Sequence, residues 1–351
     1  MPKLFGKELT RQELMRRVGD LNQVFGIRPV TCGGGKTTGM QCLEMENGGG
    51  LKLTVAPSKA LDLQQLNWKG INIGFETKAG LHAPWLCDEV GMSYRRNLGA
   101  GFLYTAGLYN VGGFCEEANE YHYAHGALKN TPAECVASHV DWEGDTCKLT
   151  VSGQVRESAF FGRNLLLERS ITTEVGSNCF TITDTLENQD FAPAQIMLLY
   201  HMNLGFPLLD EDTRMYMKVR STQAMSEHTL QNDPDWRLMP APIDNNEEYL
   251  YVHEPEVDAD GLARAAAFNH RLGFGLEVIF DPKVLPYLVQ WKCMKSGDYA
   301  LGILPSTCKP IGRPAAQEQG QLVTVASFEK VEFKLTIRML DSADQLAYYE
   351  N

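Results

Sequence analysis

The sequence predicts an all-β protein: a large antiparallel β-sandwich preceded by a short N-terminal helix. Apolar and polar residues alternate with a period of two through most of the chain, most clearly over residues 331–339, as in half-buried strands. Short turn clusters separate these segments and leave no room for the crossover helices that parallel strands require. The 44% hydrophobic content is sufficient for one large core.

The first predicted element is a helix over residues 10–25. Thr10 and Glu13 have the spacing of a capping box, and Gly26 can end the helix. Apolar residues recur along one face of it, at Leu14, Val18, Leu21 and Phe25. We therefore divide the chain into an N-terminal helical extension, residues 1–30, and a single β-sandwich domain, residues 31–351.

Two strand-rich blocks follow. Residues 134–205 are predicted to form an antiparallel meander, with turn clusters at 142–145, 175–178 and 187–190. A second block covers residues 247–299. The polar, proline-containing segment between them, residues 210–246, is expected to be a long loop over one sheet face.

Composition restricts the partners and the location. The formal net charge of −12 repels phosphate backbones and anionic membranes, so neither nucleic acid nor membrane is expected to bind. The amino terminus has no signal-like apolar stretch, and the nine cysteines are scattered without a C-x-x-C pair. We expect a cytoplasmic protein with reduced thiols, for which a homodimer is a possible assembly.

Two motifs do not predict cofactor or metal sites. The segment Gly33-Gly34-Gly35-Lys36-Thr37 lacks the earlier glycine of a phosphate-binding loop, since Val30 stands there; we interpret it as a turn between the helix and the first strand. His122 and His125 are three residues apart, which on an extended strand directs their side chains to opposite faces. No metal and no cofactor are therefore predicted.

The most informative segment is residues 200–209, with the pattern Y-H-x-N-x-G-x-P-L-L. On a strand, His201 and Asn203 lie on the same face, where they can hold a polar ligand. A buried histidine beside a turn is the alternative interpretation of the same residues.

This pattern resembles that of the aldose 1-epimerase (galactose mutarotase-like) superfamily, in particular a bacterial branch of it. The resemblance extends over most of the chain, through segments 57–62, 101–110, 125–126, 290–292 and 297–302. It implies a large antiparallel β-sandwich with a small carbohydrate bound in a groove on one sheet. It also implies acid–base chemistry that opens and recloses a sugar ring, interconverting anomers or epimers.

By the same resemblance, His201 is the expected acid and His125 a second donor. The residues expected to bind the substrate are Lys59, Asp62, His122, Asn203, Glu254, Trp291 and Lys292. Trp85 is an alternative to Trp291 as the apolar face for a sugar ring. If Lys59 and Lys292 converge on the groove with Arg95 and Arg96, an acidic or phosphorylated sugar is favoured.

The sequence departs from the family pattern at one position. The family has glutamate in a G-x-E-P pattern as its usual base, whereas this chain has Leu304 there. Candidates to replace the base are Asp62, His253, Glu254 and Asp298. Three functions stay open: an epimerase with a different base, a sugar-binding or sensing protein without turnover, and an isomerase or lyase reaction on a keto sugar.

Overall fold

A computed structural model describes residues 1–98, 100–117 and 120–350 of the chain. Its helices are α1 (Arg11–Met15), α2 (Glu227–Asn232), α3 (Arg313–Glu318) and α4 (Ala347–Glu350). The strands up to residue 122 are β1 (Lys3–Leu4), β2 (Lys7–Glu8), β3 (Gly26–Thr31), β4 (Gln41–Glu46), β5 (Leu51–Ala56), β6 (Asp62–Trp68), β7 (Ile71–Asn72), β8 (Phe75–Glu76), β9 (Ala100–Gly101), β10 (Leu103–Leu108), β11 (Cys115–Glu117) and β12 (Glu120–His122).

The later strands are longer. They are β13 (Glu134–Glu143), β14 (Thr146–Ser158), β15 (Asn164–Glu174), β16 (Cys179–Asn188), β17 (Ala194–Leu204), β18 (Thr213–Met217), β19 (Val219–Ala224), β20 (Tyr249–Pro255), β21 (Ala263–Asn269), β22 (Phe274–Phe280), β23 (Tyr287–Lys295), β24 (Asp298–Ser306), β25 (Val323–Val325) and β26 (Lys330–Leu340). The predicted all-β, antiparallel sandwich is confirmed.

Three sheets carry the architecture. The front sheet has the strand order β10-β17-β24-β23-β20-β19, with β25 pairing with the start of β17. The back sheet has the order β13-β14-β15-β16-β26-β22-β21-β18, and an N-terminal sheet has the order β3-β4-β5-β6-β7. The predicted meander is confirmed for β13 to β16, but β17 leaves it and joins the front sheet.

Two segment predictions need correction. The segment 210–246 is not a continuous loop, because Met215 and Met217 alternate with polar residues and place β18 on the back sheet. The glycine-rich segment 33–37 lies between β3 and β4 rather than before the first strand. For β18, local polarity obscured a strand whose pairing partner, β21, is distant in sequence, whereas β3 pairs with the next strand, β4.

The N-terminal helix is shorter than predicted. Its capping box is present, since the Thr10 and Glu13 side chains each bond the other's backbone, but α1 ends at Met15. The Asp20 carboxylate accepts from the Asn22 amide and starts a separate helical turn, which interrupts the predicted helix. The division of the chain at residue 30 stays a prediction, although β3 extends across it.

The main core lies on one face of the front sheet. Every second residue of β17, including Tyr200 and Met202, belongs to this core, together with Phe180 and Leu335 of the back sheet. Because neighbouring side chains on a strand point to opposite faces, Leu199 and His201 face away from it. That second face carries a smaller apolar cluster, which includes Tyr104, Leu199, Val289 and Leu304.

None of the helices in the described part of the chain has both the length and the apolar character needed to cross a bilayer.

Candidate functional site

A cavity of about 290 Å³ opens on the second face of the front sheet. This volume is near the lower end of the range for small-molecule pockets. Apolar side chains form part of its wall, at Leu199, Leu250, Val289 and Leu304. Polar and aromatic side chains complete it, at Tyr94, Tyr104, His125, His201, Asn203, Glu248 and Trp291.

Strand pairing brings these residues together from distant parts of the sequence. Tyr104 of β10 lies directly opposite His201 of β17, and Val289 of β23 lies opposite Leu304 of β24. Trp291 lies between Leu250 on one neighbouring strand and Gly302 on the other. The wall is therefore one surface of the front sheet, formed by side chains that share a face.

Asn203 determines which nitrogen of His201 carries the proton. The Asn203 amide nitrogen donates to the carbonyl oxygens of Gly101 (3.1 Å) and His201 (3.0 Å), so its amide oxygen faces the imidazole. That oxygen lies 2.6 Å from His201 Nδ1. An amide oxygen only accepts, so Nδ1 is the protonated nitrogen and Nε2 keeps a free lone pair.

The His201 ring is held on several sides. Tyr104 stacks on it with ring centroids 4.3 Å apart, and Trp291 and His125 contact it edge-to-face at 5.5 Å and 5.8 Å. Burial holds the His201 pKa well below its usual value, and the adjacent His125 lowers it further, against the opposing effect of Asn203. His201 is therefore a neutral imidazole near neutral pH.

His125 enters the cavity from a tight turn. Its backbone has φ +57°, a left-handed conformation that is uncommon for a residue with a side chain. Its N–H donates to the carbonyl of Gly112 (2.8 Å) and its own carbonyl accepts from Gly107 (3.1 Å). These two bonds on either side of the residue hold the imidazole at the cavity.

A buried lysine reinforces this turn. Lys129 Nζ donates to the carbonyls that flank His125, those of Ala124 (2.9 Å) and Gly126 (2.6 Å), and pairs with Glu89 at 2.6 Å. Burial, with a further contribution from the Lys129 charge, lowers the pKa of His125 to about 3. Both cavity histidines are thus uncharged near neutral pH.

The structure does not bring Lys59 and Asp62 to the cavity. Lys59 Nζ donates to Asn130 Oδ1 at 2.7 Å. Asp62 is fully buried, where it accepts from Arg169 and from the Thr105 hydroxyl, both at 2.7 Å. These contacts satisfy both predicted residues within the protein, so we leave them out of the site.

His122, Glu254 and Lys292 also lie outside the cavity wall. His122 packs on Tyr109, with ring centroids 4.9 Å apart. Lys292 is fully buried and paired with Asp233 at 2.5 Å, on the opposite face of the strand from Trp291. Glu254 is exposed on β20 and is not among the wall residues.

The other proposed replacements for the base have different surroundings as well. His253 is buried between Thr222 (2.9 Å) and Gln290 (3.0 Å), and Asp298 pairs with Lys78 at 2.8 Å. The remaining residues that the sequence offered are exposed and do not line the cavity: Trp85, Arg95 and Arg96. The described part of the wall therefore contains no lysine or arginine.

Sequence reasoning missed a carboxylate that does line the cavity, Glu248. Its Oε2 accepts the indole N–H of Trp291 at 2.7 Å. Glu248 is two residues before Leu250, directly ahead of β20, and both residues line the cavity. That spacing was visible in the sequence, but only the pairing of β20 with β23 places Glu248 beside Trp291.

No group of three or more His, Cys, Asp and Glu side chains suited to a metal ion occurs within residues 1–98, 100–117 and 120–350.

Comparison with known families decides the membership of the chain. A family model described as a domain of unknown function, DUF4432, matches residues 37–339. The chain belongs to the DUF4432 family. A comparison of this DUF4432 chain with curated proteins gives no match.

Solved structures show which fold the DUF4432 chain has. It is similar to a candidate aldose 1-epimerase from Klebsiella pneumoniae, with TM-score 0.89, 23% identity and coverage of 94% of this chain and 88% of that one. A galactose mutarotase-like protein from Clostridium acetobutylicum gives TM-score 0.60, 15% identity and coverage of 91% and 100%. Galactose 1-epimerase from Lactobacillus acidophilus gives TM-score 0.57 and 13% identity, with coverage of 91% of this chain and 99% of that one. The fold is that of the galactose mutarotase-like proteins. At sequence identities this low, the similarity shows the fold and not the activity.

Proposed function

We propose that this DUF4432 protein is an isomerase of the aldose 1-epimerase type, which interconverts the anomers of a monosaccharide. The observation that carries the proposal is the imidazole of His201. Asn203 leaves its Nε2 unprotonated, and burial keeps the ring neutral. A neutral imidazole in a cavity of small-molecule size is suited to remove a proton from a hydroxyl group.

The reaction needs one base and one donor. His201 Nε2 takes the proton of the anomeric hydroxyl, the bond between the anomeric carbon and the ring oxygen breaks, and the ring oxygen gains a proton. The open aldehyde rotates and recloses in the other configuration as the protons return. We assign to His125, whose ring contacts that of His201 edge-to-face, a hydrogen bond to the ring oxygen. Because His125 is neutral, the proton that this oxygen gains is the one that His201 has taken from the anomeric hydroxyl. The initial role of His201 as the base differs from the expectation that it is the acid, because the only N–H of that ring is already bonded to Asn203.

We expect the native protein to accelerate mutarotation of at least one uncharged aldose above the buffer rate, with no fall in rate around pH 6.5, where an ordinary histidine becomes protonated. Protonating Nε2 abolishes the base. Because the pKa of His201 is lowered in the protein, this loss occurs at a more acidic pH than for an ordinary histidine. Polarimetry on freshly dissolved α-anomers measures the rate at each pH.

His139→Ala is the control for this measurement, because His139 is exposed on β13 at a distance from the cavity wall. It should leave both the rate and the pH profile unchanged. No acceleration for any aldose tested would contradict the proposed function, and an inflection near pH 6.5 would contradict the assigned state of His201.

Leu304 favours a second candidate function, a sugar-binding protein without turnover. Leu304 is 2% exposed and, with Val289 on the neighbouring strand, forms an apolar part of the wall. The aldose 1-epimerase superfamily that the sequence resembles has its glutamate base at this position. If His201 is the working base, Leu304→Glu should not raise turnover. It should instead lower the free energy of unfolding by about 1–3 kcal/mol, because it places a carboxyl group in an apolar cluster.

Polarimetry and urea denaturation of Leu304→Glu test this expectation, and Leu304→Gln is the uncharged control of the same shape. Activity that appears in Leu304→Glu, but in neither the native protein nor Leu304→Gln, would favour the binding protein over the isomerase.

A further inference from the structure

The charge of the cavity wall is unbalanced. Glu248 contributes a carboxylate, whereas the described wall residues include no lysine or arginine. The two histidines do not compensate, since burial lowers the pKa of both. The cations that could have met an anionic sugar have other positions: Lys59 and Lys292 are buried against Asn130 and Asp233.

Trp291 orients this carboxylate. Its indole N–H donates to Glu248 Oε2 at 2.7 Å, while its ring lies edge-to-face with His201 at 5.5 Å. One indole therefore links the rim carboxylate to the imidazole that we assign as the base. The second oxygen, Oε1, forms no hydrogen bond with any described residue and stays available to a ligand.

We propose that Glu248 determines substrate specificity, so that the cavity accepts uncharged monosaccharides and rejects sugar acids and sugar phosphates. The inference rests on the proposed function only in taking the cavity as the sugar site. Oε1 accepts a hydrogen bond from a sugar hydroxyl, which an uncharged sugar supplies at no electrostatic cost. A carboxylate or phosphate on the ligand would instead meet a like charge on a wall whose described residues include no lysine or arginine.

If Glu248 repels anionic ligands, its effect should depend on salt, whereas that of a purely structural role would not. Glu248 is exposed at the rim, so its repulsion of an anion is screened by salt. Discrimination against anionic sugars should therefore weaken as ionic strength rises. Affinity for an uncharged sugar should change little.

Saturation-transfer difference NMR with galactose and galacturonate, or with glucose and glucuronate, tests this through binding and needs no turnover. The native protein should bind the uncharged sugar at least about tenfold more tightly than its uronate, a ratio typical of one like charge at short range. Glu248→Gln keeps an acceptor for Trp291 and should reduce that ratio about tenfold. Salt near 1 M should reduce the ratio for the native protein but not for the variant.

Glu247→Gln is the matched control, because Glu247 is exposed, adjacent in sequence and absent from the cavity wall. It removes the same charge and should leave the ratio unchanged. Equal binding of sugar and uronate by the native protein, or equal effects of the two variants, would overturn the role of Glu248 while leaving the sugar site intact. Binding of neither sugar would overturn the proposed function as well.

Discussion

We expect His201→Ala to slow mutarotation by about a hundredfold to ten-thousandfold, the usual effect of removing a general base. The imidazole is 6% exposed and is held by Tyr104, Trp291 and Asn203, so that its Nε2 has one orientation. A base that is already neutral and oriented pays no cost of deprotonation or ordering during the reaction. Its loss therefore affects the chemical step more than the binding of the sugar.

Polarimetry over a range of sugar concentrations separates these effects: kcat should fall while KM changes little. Added imidazole should partly restore the rate of His201→Ala, because the side chain removed leaves space for a small base. Asn203→Ala should give a smaller loss, since it removes the group that selects the tautomer but leaves the imidazole. A rate for His201→Ala equal to that of the native protein would exclude His201 as the base.

We expect Arg169→Met to lower the free energy of unfolding by about 3–5 kcal/mol, the range for breaking a buried ion pair. The Arg169 guanidinium is buried and donates to both oxygens of Asp184, at 2.9 Å and 2.7 Å, and to Asp62 at 2.7 Å. The Tyr200 hydroxyl also donates to Asp184, at 2.8 Å. Removing the cation leaves two carboxylates uncompensated directly behind the strand that carries His201.

Urea denaturation followed by circular dichroism measures this loss. Arg237→Met is the control, because Arg237 and Asp235 form an ion pair whose side chains are about half exposed, 52% and 39%. Such pairs contribute roughly 0–1 kcal/mol. A loss for Arg169→Met no larger than that for Arg237→Met would contradict the structural role assigned to this network.

The same network explains why Asp62 was a plausible but misplaced candidate. In the sequence Asp62 ends a segment, residues 57–62, that resembles one of the superfamily, which favours a role in binding. The structure pairs it with Arg169, more than a hundred residues later in the chain. The partner of a buried charge is set by packing between sheets, and no local pattern in the sequence reports it.

The amino-acid pattern was sufficient to predict the fold class and the strand that carries His201. Because apolar and polar residues alternate with a period of two, the sequence indicates which residues share a face of a strand. The spacing of His201 and Asn203 is therefore sufficient to place them side by side. Tertiary structure alone decided which faces meet. The pairing of β20 with β23 places Glu248 beside Trp291, and the backbone carbonyl of Gly101 orients the Asn203 amide. Lys59 and Lys292 bind Asn130 and Asp233 instead of facing the cavity. The physical reason is that alternation specifies the direction of a side chain but not the strand beside it, and the chemistry of this cavity arises between strands.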